Sequence, residues 1–250
     1  MMPEEAAVFS TMGLIEKSHY LSTVNRYKKP IVLELRKGIG SRIKALASGI
    51  CAAKELDKEV YVTWPFDSNC GAKFSDLFED VSGVRVHDKL SVGYQQQICD
   101  TQEQWDAVKG GNSVIFLKSS SRFHTTDEED FVNTVKSLVP SVNCPLDLSG
   151  TVGVHVRGSP TAIIAAMQDI SSNFFVASDS DENRKAIEAA FPGRVKTLAT
   201  SLARDVAGMQ DALRDFLALS KCSRIIATKS SFSEMAALYG GVPLTVPVSA

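Results

Sequence analysis

The sequence predicts an α/β fold built as two parallel-sheet units, residues 1–145 and 146–250. Three observations carry that expectation. Short apolar strands alternate with helical stretches along most of the chain, the pattern of parallel sheets with crossover helices. The alternation is interrupted where Pro140, Asn143, Pro145 and Gly150 fall close together, the best linker in the chain. Beyond that break, several strands end on polar residues at turns into helices, where open parallel sheets place their ligands.

Residues 1–29 are mixed and weakly patterned, and the basic turn Arg26-Tyr-Lys-Lys-Pro30 closes that stretch. Ile31-Val-Leu-Glu-Leu35 is short, apolar and rich in branched residues, so it reads as a buried strand. Gly38 and Gly40 punctuate its end. From Ser41, a plausible N-cap, Ile43, Leu46, Ala47, Ile50, Ala53 and Leu56 recur at three- and four-residue spacings, which predicts a helix to about Asp57. Val60-Tyr-Val-Thr-Trp64 is the next strand, closed by Pro65, and completes a strand, glycine turn, helix, strand unit. A polar loop with Asp67, Asn69, Cys70 and Gly71 leads to a short helix at Phe74–Phe78. Val84–His87 and Ser113–Leu117 read as strands, and the glutamine-rich stretch between them has no clear assignment. Thr126–Leu138, acidic at its start and with Phe131, Val132, Val135 and Leu138 on one side, reads as an amphipathic helix.

After the break, strand Thr151–Arg157 leads to a helix at Thr161–Asp169, then strand Asn173–Ser178, the acidic turn Asp179–Glu182 and helix Asn183–Ala190. Arg194-Val-Lys-Thr follows, then a longer helix through Leu213, Phe216, Leu217 and Leu219. Strand Arg224–Thr228, the serine turn Lys229–Ser233, helix Glu234–Tyr239, the pair Gly240-Gly241 and strand Leu244–Pro247 complete the alternation.

Composition excludes several classes. Hydrophobic residues at 44% and charged residues at 22% describe an ordinary globular chain, neither disordered nor fibrous. A net charge of −2 gives no global attraction to nucleic acid or to an anionic membrane. The five cysteines are scattered without a Cys-x-x-Cys pair, so neither a zinc site nor a disulfide framework is expected, and buried thiols in a reducing compartment are the plain reading. The start Met-Met-Pro-Glu-Glu lacks the basic and apolar regions of a secretory signal, and no run reaches the length of a membrane span. A soluble, cytoplasmic chain is the expectation.

Arg157, Asp179 with Asp181, and Ser230 with Ser231 stand at strand-to-helix turns and form one candidate site. A serine pair opening a helix offers N–H groups, hydroxyls and a positive dipole end to an anion. Arg157 adds a bidentate charged contact to the same phosphate. Asp179 suits ribose hydroxyls or a base edge. Plainer readings stand beside these: a serine pair also serves as a simple cap, strand-end aspartates also complement a helix dipole, and His155, on the same face as Gly153 and Arg157, also suits a hydrogen-bonded core position.

Four ordered stretches resemble the fucosyltransferase-like glycosyltransferases, which include the nodulation and α1,6-fucosyltransferases and the protein O-fucosyltransferases. Gly38-Ile-Gly40-Ser-Arg42 with Val62 to Phe78 resembles their N-terminal signature. Gly153-Val-His-Val-Arg157 resembles the first C-terminal motif, and Phe174-Phe-Val-Ala-Ser-Asp179 the second. Asp211 to Ile226 with Ser230-Ser-Phe-Ser-Glu234 resembles the third, and the match runs from about residue 31 to about residue 245.

The resemblance implies a GT-B architecture: two Rossmann-like domains facing a cleft, the first on the acceptor side and the second holding a nucleotide sugar. By position, Arg157 would clamp the β-phosphate and His155 would sit beside the nucleotide. Asp179 would contact base or ribose, and Ser230, Ser231 and Phe232 would bind phosphate or ribose. Gly38, Gly40 and Arg42 would form a loop closing over the donor. The implied activity is inverting, metal-independent and without cofactor, moving fucose from GDP-fucose to a glycan hydroxyl. Another donor such as UDP-xylose, and a non-catalytic nucleotide-sugar or glycan-binding module, are the alternatives.

The chain departs from the pattern after Arg157, where Gly158-Ser-Pro160 stands in place of the usual second basic residue, and at Ser180, where a second aspartate is common. For a general base, Asp67, Glu34 and His124 are the candidates.

Overall fold

The structure, a computed structural model, describes residues 29–87, 96–110 and 114–247. The weakly patterned N-terminal segment up to residue 28, and residues 88–95 and 111–113 in and beside the glutamine-rich stretch, lie outside them. Two five-stranded parallel sheets carry the fold. The first contains β1 (Ile31–Leu35), β2 (Val60–Thr63), β3 (Val84–His87), β4 (Gln97–Ile98) and β5 (Ile115–Ser119) in the order β3-β2-β1-β5-β4. The second contains β6 (Val152–Val156), β7 (Phe174–Ser178), β8 (Val195–Lys196), β9 (Arg224–Ala227) and β10 (Leu244–Thr245) in the order β10-β9-β6-β7-β8. The helices are α1 (Ile39–Glu55), α2 (Phe74–Leu77), α3 (Gln102–Val108), α4 (Glu128–Lys136), α5 (Thr161–Met167), α6 (Asp181–Ala190), α7 (Val206–Ser220) and α8 (Ser231–Gly240).

β1 and β6 are the centres of their sheets, which explains their largely apolar character, broken only by Glu34 in β1 and His155 in β6. Each is flanked on both sides by parallel neighbours, β1 by β2 and β5, β6 by β7 and β9, and each is covered on both faces. In β6 the strand period sorts the side chains: Val152, Val154 and Val156 enter one apolar cluster with Ile163, Met167 and Ile187. Gly153 turns the other way, where an added Cβ would lie 3.0 Å from Leu219 and 3.2 Å from the Cys222 sulfur, so a glycine lets α7 approach the sheet.

A second apolar cluster runs without a break from β1 and α1 through α4 to α7 and α8. The two sheets are therefore joined by a shared helical layer as well as by the linker. Lys44 of α1 donates to both carboxylate oxygens of Glu234 in α8, at 2.6 and 2.7 Å. All five cysteines are buried free thiols, and among the described residues no helix is long and apolar enough to cross a membrane.

Boundaries differ from the sequence expectation where capping decides them. α1 begins at Ile39 with Gly38 as N-cap, so Ser41 is not the cap; its hydroxyl instead meets that of Ser231 at 2.9 Å. Ser180 caps α6 by accepting from the Asn183 N–H, which brings Asp181 and Glu182 into the helix's first turn. Ser230 caps α8 and starts it at Ser231, three residues earlier than expected. β4 and α3 lack a readable apolar pattern because β4 has two residues, both exposed, and α3 buries Trp105 alone.

Candidate active site

In a parallel sheet whose strand order reverses, the crevice at the reversal lies beyond the carboxyl ends of the two diverging strands. The reversals here fall between β1 and β5 and between β6 and β9. A cavity of about 400 Å³ draws its lining from both halves of the chain: Lys37 to Ser41 follow β1, Arg157 follows β6, Asp179 follows β7 and Ser230 to Phe232 follow β9.

Of the residues the sequence singled out, Gly38, Gly40, His155, Arg157, Asp179, Ser230, Ser231 and Phe232 all line this cavity. Arg157 is 69% exposed at the cavity, with its Nε 3.6 Å from Asp179 Oδ2, and its backbone N–H is fixed by the Thr228 hydroxyl at 2.9 Å. Arg157 is thus anchored by its main chain while its guanidinium faces solvent. His155, one turn of the pleat deeper, is buried and lies against Phe232, ring centroids 5.1 Å apart. Burial holds its imidazole neutral down to about pH 4, with Asp179 opposing that shift and Arg157 adding to it.

Gly40 has a specific reason to be glycine. A Cβ there would sit 2.5 Å from both the Cα and the N of Phe232, so α1 and α8 meet backbone to backbone at their N-termini. Gly38, in contrast, has open space around its Cβ position. The serine turn divides its duties: the Ser230 hydroxyl accepts from the Phe232 N–H as a cap, and Ser231 is bonded to Ser41. What the turn can offer an anion is therefore the positive end of α8, reinforced by the N-terminus of α1, which has neither a side-chain cap nor an acidic residue in its first turn.

Arg42 and Asp67 are placed beneath the cavity, not in it. Arg42 is 0% exposed and donates to the carbonyls of Lys37 and Pro65 and, at 3.0 Å, to Asp67 Oδ2, with its guanidinium over the Trp64 ring. Asp67 Oδ1 accepts from the N–H groups of Asn69 and Cys70. Both side chains are occupied in shaping the loops, which leaves Asp67 poorly suited to take a proton from a substrate. The other candidate bases are also absent from the lining: Glu34 pairs with Lys118, and His124 is buried against Glu55.

Two charged lining residues, Arg184 and Asp215, stand outside the set the sequence predicts. Arg184 of α6 donates to the Ser178 carbonyl at 2.7 Å and stands 3.5 Å from Asp215 Oδ2 of α7. Both line the cavity, and both keep a buried atom without a partner, Arg184 Nε and Asp215 Oδ1. Thr200 Oγ1 and His155 Nδ1 are likewise buried, unpartnered and on lining residues. Buried polar atoms are almost always satisfied, so four such atoms around one cavity point to a polar ligand. The available signal was Asp215 itself, a carboxylate on the apolar face of α7 next to Phe216 and two residues from Leu213.

Burial pushes the Asp215 carboxyl up to about 7, against the lowering effect of Arg184 and with a smaller raising effect from Asp211. Between about pH 4 and pH 7 the folded protein therefore holds a proton that the unfolded chain has released, so this group's contribution to stability declines as pH rises through that window. His155 acts with the opposite sign, since its stabilising contribution is complete above about pH 6.5 and is lost as pH falls toward 4. Asp215→Asn removes the first effect alone. Its melting temperature relative to the wild type is expected to climb steadily from pH 4.5 to 7.5; a constant difference across that range contradicts a buried, proton-holding Asp215.

No protein-family model matches the chain, and no curated protein sequence matches it. Among solved structures, the α-1,6-fucosyltransferase NodZ co-crystallised with GDP aligns with a TM-score of 0.64 and 17% identity, covering 87% of this chain and 94% of NodZ. NodZ from Bradyrhizobium in another crystal gives the same values. A variant of Arabidopsis thaliana FUT1 in complex with GDP aligns with a TM-score of 0.60 and 12% identity, covering 97% of this chain and 77% of its own. At these identities the likeness establishes a shared fold, the two-sheet GT-B arrangement.

Proposed function

We propose that the protein is an inverting glycosyltransferase that moves a sugar, fucose in the reading favoured here, from a guanosine-diphosphate donor to a glycan hydroxyl. The observation that carries this reading is the polarity of the cavity from end to end. Its buried part holds the unpartnered atoms Asp215 Oδ1 and Arg184 Nε, and its exposed part holds Arg157 and two helix N-termini. Guanine offers adjacent N1–H and N2–H₂ donors beside the O6 acceptor, a set that the Asp215 carboxylate and the Arg184 guanidinium complement together. Uracil also offers an N–H beside a carbonyl, so the preference for a guanine over a UDP-linked donor rests on the nucleotides bound in the similar structures. GDP in the crystals of NodZ and of the FUT1 variant, and GDP-fucose soaked into NodZ, support the same donor class.

With the base at the Asp215 end, His155 and Phe232 flank the nucleoside and the diphosphate reaches Arg157. The acceptor oxygen then forms a bond to the anomeric carbon from the face opposite the diphosphate, and the bond from that carbon to the β-phosphate oxygen breaks with its electron pair on phosphate. Arg157 and the helix dipoles stabilise the charge that develops there. Of the lining carboxylates, Asp215 is buried beside Arg184 and Asp179 faces Arg157, so the acceptor's proton, released on the face opposite the diphosphate, passes to solvent water. In this reading residues 1–145 serve the acceptor side and residues 146–250 hold most of the donor.

The test is nucleotide release from GDP-fucose and from UDP-xylose in the presence of a pool of glycan acceptors. Release of GDP with a labelled glycan product supports the transferase. Binding of GDP with no release or transfer supports the non-catalytic module instead.

A further inference from the structure

This inference rests on the diphosphate lying at the Arg157 end of the cavity. Arg157 shares its charge with Asp179, and the residues after it, Gly158, Ser159 and Pro160, supply no further cation. Across the cavity stands Lys37, in the turn between β1 and α1. Three features distinguish it.

Its backbone has a φ of 67°, the left-handed region that a lysine adopts at a cost glycine does not incur. The chain nevertheless has lysine there. That conformation is held from below by the fully buried Arg42, whose Nε donates to the Lys37 carbonyl at 2.7 Å while its other nitrogens bind Pro65 and Asp67. And among the described residues the Lys37 ammonium has no acidic partner, although it lies on an exposed lining residue of a cavity rich in unsatisfied polar atoms. Arg204, another lining cation without an acidic partner among the described residues, precedes the α7 N-cap Asp205 and packs its carbonyl against Gly71, but no side chain among the described residues donates to that carbonyl as Arg42 does to that of Lys37.

We infer that Lys37 is the second cation of the donor diphosphate, reaching it from the first sheet while Arg157 reaches it from the second, and that Arg42 and Asp67 are positioning residues for Lys37. This gives a ligand-directed purpose to a strained turn, to the buried Arg42 and to the partly exposed Asp67, neither of which lines the cavity.

Lys37→Gly separates this role from a structural one, because glycine accepts the observed φ without strain. The affinities of GDP and GMP, measured by isothermal titration calorimetry, are compared for the wild type, Lys37→Gly and Lys37→Gln. Both variants are expected to bind GDP about tenfold more weakly, the loss of one charge-assisted contact, with a much smaller loss for GMP, which has no β-phosphate. The melting temperature of Lys37→Gly is expected to equal or exceed that of the wild type. A wild type that binds GDP, with variants that keep its GDP to GMP affinity ratio, overturns the role of Lys37 and leaves the nucleotide reading standing. A wild type that binds neither nucleotide overturns both.

Discussion

Arg157→Ala is expected to lower turnover by about 100-fold or more while changing the donor's KM far less, the signature of a contact strongest in the transition state. The reason lies in where charge appears. In the sugar nucleotide the β-phosphate oxygen is esterified, and as the glycosidic bond breaks it gains a full negative charge. Arg157 is anchored through its main-chain N–H to Thr228 and leaves its guanidinium at the open end of the cavity, so it needs no rearrangement to meet that charge. Arg157→Lys keeps the charge but loses the planar fork, and an intermediate loss is expected. Steady-state kinetics on the three proteins checks this; near-normal turnover of Arg157→Ala removes the residue from the mechanism.

The second large effect is expected at Gly40. A side chain there collides with the backbone of Phe232 and Ser231, which cannot swing aside as a side-chain terminus would. Gly40→Val is expected to force α1 and α8 apart, disturb the pair Ser41–Ser231, and widen the cavity between the two sheets. Overpacking of this kind costs about 1–3 kcal/mol, which for a chain of this size lowers the melting temperature by roughly 2–12 °C. Nucleotide affinity is expected to fall with it, because the two helix N-termini no longer converge. Gly38→Ala is the control: its Cβ meets no protein atom, so apart from the loss of a good N-cap residue the melting temperature is expected to fall far less than in Gly40→Val. Equal behaviour of the two variants, by differential scanning calorimetry and nucleotide titration, contradicts the backbone contact.

The contrast between these glycines also shows how far the residue pattern reached. Strand and helix periodicity specified both central strands and most helices, because β1, β2, β6 and β7 are buried on both faces and leave little choice of residue. The strand ends could be read as a site because parallel topology brings them to one edge. What periodicity does not carry is which of two neighbouring glycines touches a segment 190 residues away, as the Ser41–Ser231 contact does. For the same reason Arg42 and Asp67 were expected in the cavity: their place in the motif is right, but only the fold shows the guanidinium turned inward onto the Lys37 and Pro65 carbonyls. Arg184 was hidden on a helix that buries only Ile187, where an arginine looks like an ordinary surface charge. Short elements such as β4 gave no signal because two exposed residues have no period.

In the proposed function the cavity between the two sheets binds a guanine nucleoside diphosphate. A thermal-shift comparison of GDP, GDP-fucose, UDP and a UDP-linked sugar tests it directly, since a ligand present at 100 times its Kd stabilises the native state by about 2.7 kcal/mol. GDP and GDP-fucose are expected to raise the melting temperature by roughly 5–10 °C, with UDP and the UDP sugar well behind. A chain whose melting temperature no nucleotide moves contradicts the claim.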